Sequence, residues 1–289
     1  MTIKSILCLF NGSQDELNAL NTAFVLGKTY GAQINVLHVS SNPSAYAGIY
    51  GEGIIVSGAI IEAIEKENAE RLNKAKQYVV SFAAKHHLPL DEPETLSHHA
   101  SVRFVHLTGM VDATIAHEGR MSDLIVIGSE DTPVHDLITP ALFDTGRPVL
   151  RMPHAHDGMM QEFQDKTVAL AWNGSLQAAR ALYNAIPLLG RTEKLYILTV
   201  EKPSHTHDLA AESALMDYLR VHGIHAQGII IAGGNYRSTG EALLMRAREL
   251  NADLLVMGAY GHSMFREMVL GGVTEHMITK ADIPLLLSH

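Results

Sequence analysis

Four glycines carry the pattern in this chain that could do chemistry. Gly258 and Gly261 follow the apolar run Leu254-Leu255-Val256-Met257, and Gly271-Gly272 come nine residues later, leading into a helical pattern from Val273 to Thr279. A strand, a glycine-punctuated loop and a helix start in that order form a phosphate cradle. Glycines let backbone N–H groups approach an anion, and the helix start adds unpaired donors and a partial positive charge. In the nine-residue spacer, His262 and Arg266 can donate to an anion; both also suit the exposed side of a short helix. No general base and no metal-binding carboxylate stands out beside the loop. The pattern therefore points to binding, and neither a catalytic residue nor a metal ligand is assigned.

Other residues capable of chemistry read as structural. The 17 histidines include His86-His87, His98-His99, His154/His156 and His205/His207. Adjacent helical residues point apart, and His205/His207 with Asp208 would need a further ligand to hold zinc. These histidines are read as solvated. Cys8, the only cysteine, alternates into the core side of the first strand and leaves no disulfide framework. Ser13 and Ser175 each follow Asn-Gly and are expected to be N-caps of the first helix in each half; no Gly-x-Ser-x-Gly elbow surrounds them.

The elements that must position the loop come from a duplication. ILCLFNGS at 6–13 matches VALAWNGS at 168–175, and SDLIVIG at 122–128 matches ADLLVMG at 252–258. Each half ends on proline plus aliphatics, at Pro148 and Pro284. The offset is 173 − 11 = 162 at the first landmark and 258 − 128 = 130 at the second, so the first half carries 32 extra residues. They fall largely in 40–87, which contains a long charged helix from about Ile61. Three segments are expected: a first domain at 1–153, a linker at 154–165 and a second domain at 166–289.

Apolar runs alternating with amphipathic helices mean βαβ units and a parallel sheet covered on both faces. The fold class is thus α/β, two tandem doubly wound, Rossmann-like domains. Strands are expected at 167–171, 194–200, 226–231, 254–258 and 284–287, with a helix at 239–251 capped by Ser238 or Thr239. In the first half the third strand is expected at 103–107 and the next helix at 111–118. Ligands in such sheets sit at the carboxyl ends of the strands. That rule brings Asn173-Gly174, Val200 at the end of the second strand, Ala232-Gly233-Gly234 and Gly258–Gly261 to one crevice.

Composition limits the partners. The 22 basic and 31 acidic residues leave a net charge of −9, which excludes nucleic acid as the main partner. No apolar run approaches the roughly 20 residues of a membrane helix, and the short N-terminal run ends in an Asn-Gly-Ser turn with no cleavage site. A cytoplasmic location is expected.

With these residues in view, the chain resembles a tandem member of the universal stress protein family over both halves. The resemblance implies a universal-stress-type fold, a stress-response role, and halves related by a pseudo-twofold axis. ATP-binding members carry Gly, two residues, Gly, nine residues, and Gly followed by Ser or Thr; Gly258, Gly261 and Gly271 meet that spacing. Gly272 departs from it, and Asn11 and Asn173 stand where the family has an acidic residue. After Gly128 come Ser129-Glu130-Asp131-Thr132-Pro133, which place carboxylates where phosphates would lie, so the first half is expected not to bind ATP.

The cofactor implied is ATP or another adenine nucleotide, held weakly in the second half by Asn173, Gly174, Val200, Gly258, Gly261, His262, Gly271, Gly272 and Val273. The alternatives are an interaction scaffold with an unknown protein partner and, last, a weak ATPase or autophosphorylating enzyme. The resemblance further implies that 148–152 and 284–288 pair as the last strands of family dimers do, an intramolecular counterpart of dimerisation that leaves room for a further homodimer.

Overall fold

The computed structural model describes residues 2–41, 58–91, 100–128, 134–154, 163–201, 209–261 and 272–289. The first half contains β1 (Ser5–Leu9), α1 (Leu17–Tyr30), β2 (Gln33–Ser41), α2 (Gly58–His86), β3 (Ser101–Gly109), α3 (Val111–Gly119), β4 (Leu124–Ile127), α4 (Val134–Phe143) and β5 (Val149–Arg151). The second half contains β6 (Thr167–Ala171), α5 (Leu176–Leu189), β7 (Lys194–Glu201), α6 (Leu209–Val221), β8 (Ala226–Ala232), α7 (Thr239–Glu249), β9 (Leu254–Gly258), α8 (Gly272–Lys280) and β10 (Leu285–Ser288). The α/β class and the alternation are as expected, and β6, α5 and β9 fall on the expected residues. Among the described residues no helix is long and apolar enough to cross a membrane.

Two compact units form, one built on Ile3–Arg147 and the other on Pro148–Pro153 with Phe163–His289. In the first, the strand order is β3-β2-β1-β4, all parallel. In the other it is β5-β10-β9-β6-β7-β8, parallel except for the β5–β10 ladder. Leu150 lies opposite Leu286 in that ladder, and both are fully buried. The two proline-led runs therefore pair as strands, and β5, which ends the first half in sequence, packs with the second. β4, β9 and β10 read as unbroken apolar runs because both faces of these central strands are covered.

The duplicated Asp before the fourth strand has a mechanical role. Asp123 Oδ2 accepts the Lys4 and Ser5 amides at 2.7 and 3.0 Å, and Asp253 Oδ2 accepts the Thr167 amide at 2.8 Å. Each carboxylate satisfies donors at the entry of its neighbouring strand, fixing the sheet end opposite the crevice.

Helix starts differ between the halves. Ser175 caps α5, accepting the Ala178 amide at 3.2 Å, and Ser238 caps α7, accepting the Glu241 amide at 3.1 Å. Ser13 does not cap α1. The helix begins after Glu16, which makes no side-chain cap bond, because Glu16 Oε2 turns back to accept the Asn11 amide at 2.8 Å.

Cys8 is free and buried. Burial, with the Glu16 charge adding, pushes its thiol well above the ordinary range. Since the thiolate is the reactive form, Ellman's reagent should leave the native chain unmodified and label one thiol after denaturation. Rapid stoichiometric labelling of the native protein would contradict this packing.

Candidate functional site

The crevice at the carboxyl ends of the second unit's strands is built from three turns. After β6, Asn173 Oδ1 accepts the Ser175 amide at 3.1 Å. This Asx turn points the chain into α5 and occupies the acceptor of the carboxamide. Gly174 takes φ +71°, and a Cβ there would meet nothing within 4 Å among the described residues. At the end of β7, Val200 pairs with Ile231 of β8, and in the turn that follows β8 Gly233 passes so close that a Cβ would sit 2.6 Å from the Glu201 carbonyl oxygen.

The third turn leaves β9. A Cβ on Gly258 would lie 2.5 Å from the Gln177 carbonyl carbon and 2.6 Å from the Ala178 nitrogen, so a bare backbone is required where α5 starts. Ala259 donates to Ser288 O at 2.8 Å, and its own carbonyl lies 3.1 Å from His289 Nδ1. Tyr260 then adopts φ +55°, a left-handed conformation costing an L-residue roughly 1–2 kcal/mol. Its amide donates to Thr274 Oγ1 at 3.1 Å, which ties the loop to the first turn of α8. Its ring is buried, and burial, with the Glu275 carboxylate adding, raises the phenol to about 12. Gly261 is different: it is exposed, its φ is not positive, and among the described residues the nearest neighbour of a Cβ would be Gln177 Oε1 at 4.0 Å. Gly272 begins α8, a Cβ there would meet nothing within 4 Å among the described residues, and Val273 follows half-buried. His262, Gly271 and Arg266 lie outside the described residues. The arrangement offers backbone donors to an anion.

The same positions in the first unit are filled. Asn11 Oδ1 accepts the Ser13 amide at 2.9 Å, the same Asx turn. Gly12, at φ +91°, is overlaid by α2: a Cβ would lie 2.7 Å from Arg71 O and 3.0 Å from the Ala75 nitrogen. Gly128, the counterpart of Gly258, abuts Glu16, whose Cα and Cβ would lie 2.8 and 2.9 Å from a Cβ. Glu16 is buried and its carboxylate holds the Asn11 amide. The acidic run 129–133 lies outside the described residues.

Sequence reasoning missed Thr274, Tyr260 and Glu16. No pattern marks a left-handed tyrosine. Glu16 was open to discovery, because the offset of 162 sets it against Ala178 and exposes a carboxylate where its twin has a methyl group. Among the described residues, no group of three or more His, Cys, Asp or Glu is placed to hold a metal.

Comparison with known proteins agrees with this architecture. The universal stress protein family model matches residues 2–138 and again 166–289. A universal stress protein of Synechocystis sp. is 26% identical over 298 residues, spanning 98% of this chain and 99% of its own length. Among solved structures, a universal stress protein from Archaeoglobus fulgidus superposes with a TM-score of 0.72 at 18% identity, covering 98% of this chain and 97% of that one. One from Pseudomonas aeruginosa gives 0.59 at 15% identity over 99% and 93%. The identities are too low to carry more than the fold, but the family model matches both halves. The chain belongs to the universal stress protein family and carries two copies of its domain.

Proposed function

We propose that this stress-response protein is a regulator whose second unit holds an adenine nucleotide, with ATP as the reference ligand. The observation that carries the reading is the contrast between twin turns: Gly12 is covered by α2, whereas among the described residues nothing covers Gly174. In this reading the Gly258, Gly261, Gly271 and Gly272 amides receive the phosphates, with His262 beside them. Asn173, Gly174, Val200 and Val273 border the ribose and base. Gly261 supports it further, because neither a positive φ nor crowding by the described residues demands a glycine there. A ligand acting as a signal must prefer one state of the 259–270 loop. The reading includes a cytoplasmic location, supported by the free thiol of Cys8.

Titration calorimetry with ATP, ADP and AMP tests it. Gly272→Ser, for which the described residues leave room, restores one hydroxyl contact worth about 0.5–1.5 kcal/mol and should tighten ATP roughly three- to tenfold. Gly261→Val should abolish binding and leave thermal stability unchanged. No heat at millimolar ATP, for the wild type and Gly272→Ser alike, would end this reading.

A further inference from the structure

Three histidines, His38, His86 and His106, lie on α2 or on the strands it packs against, with His86 half-buried and His106 exposed. His38 on β2 is buried, and its Nδ1 donates to the Phe10 carbonyl at 3.1 Å. A carbonyl can only accept, so the neutral ring has its proton on Nδ1 and a bare Nε2. Its register partner on β3 is His106, with ring centroids 5.7 Å apart, and His106 Nε2 lies 2.9 Å from Ser40 Oγ. Phe104 stacks on His38 at 6.4 Å. His86, at the end of α2, packs against Phe24 of α1 at 5.6 Å and Phe82 at 6.1 Å. Against the expectation of a solvated ring, its Nε2 is buried and makes no hydrogen bond among the described residues.

Every charged neighbour of these rings makes protonation harder. His38 faces Arg71 and Lys76 of α2 as well as His106, and His106 faces Lys76. His86 faces Lys85 on its own helix, His87 just beyond the helix end, and Lys28 of α1. Burial is the largest cause at each ring and these cations add to it; at His38 they together outweigh the hydrogen bond to the Phe10 carbonyl, which favours the proton, so all three rings are held below the ordinary histidine range. A protonated His86 would also bury a donor without an acceptor, a costly state that is relieved only if α2 moves away. What α2 covers is equally specific, since its backbone at Arg71 and Ala75 lies on Gly12.

We propose that α2 is an acid-released cover: protonation of His38, His86 and His106 detaches its 71–86 segment from β2, β3 and α1 and uncovers the Asn11–Gly12 turn. The device is independent of nucleotide binding in the second unit. Because the folded state disfavours the proton, docking is at full strength above the unfolded histidine value of about 6.5. It weakens as pH falls through that value, and the loss levels off below the lowered folded values.

Hydrogen–deuterium exchange of the full chain at pH 7.5 and 5.0, corrected for intrinsic rates, tests the proposal. Protection of residues 71–86 should fall by about tenfold or more, while α5 in the other unit keeps its protection. His86→Phe, which retains the ring contacts but cannot titrate, should lose less, and so should His106→Asn. Unchanged protection of 71–86, an equal fall in both units, or a wild-type loss in both variants would each overturn it.

Discussion

Gly258→Ala is expected to destabilise the second unit by about 3 kcal/mol, the upper end of what overpacking costs. The added methyl would lie 2.5 Å from one backbone atom of α5 and 2.6 Å from another. A side chain could rotate aside, but a helix start can yield only by shifting as a whole. At roughly 2–4 °C per kcal/mol for a unit of this size, calorimetry should record a drop of about 6–12 °C. Gly261→Ala, a few residues on, should fall within about 0.5 kcal/mol of wild type, because its Cβ would come no closer than 4.0 Å to any described residue. An equal effect at both positions would show that the two glycines are not, as packing implies, one structural and one free for a ligand. The contrast also reassigns Gly258, whose necessity follows from packing before any phosphate is considered.

A comparably large effect is expected at Leu150, for a reason that sequence position conceals. Leu150 precedes the linker, but it is fully buried opposite Leu286. Leu150→Ala should cost about 2–5 kcal/mol, and Leu150→Asp more, because a carboxylate would be buried without a partner. The loss should appear in the second unit, where the only tryptophan, Trp172, bonds from its amide to Leu198 O at 2.9 Å. Urea titration followed by Trp172 fluorescence should show the midpoint moving down in Leu150→Ala. An unmoved midpoint would mean that β5 does not stabilise the unit it packs in.

Much of the architecture was legible because its causes are local. Central strands announce themselves as apolar runs, as at Leu254–Met257, and the duplication supplied a second reading of each landmark. Ser175 and Ser238 were legible as caps because a cap bond spans only three residues. What escaped depends on contacts distant in sequence. Ser13 shares the Asn-Gly-Ser context of Ser175, but a buried Glu16 turned back to Asn11 delays the helix. The extra length of α2 was visible as an offset, whereas its seat on Gly12 is a tertiary fact. At the candidate site, glycine spacing identified the loop but could not separate Gly258, crowded by α5, from Gly261, which is not. Nor could it show that Thr274 anchors the loop.

The β5–β10 ladder also sets an order of events as the chain is made. Leu150 leaves the ribosome 286 − 150 = 136 residues before its partner Leu286. At roughly 5–20 residues per second, that interval is about 7–27 s. For all of it, the side of β5 that meets β10 has no strand to accept its hydrogen bonds, and an open strand edge invites pairing with other chains. This ladder cannot close until β10, Leu285–Ser288, has itself been synthesised. The nascent protein thus passes through a state, set by its own topology, in which neighbouring chains on one message could exchange strands.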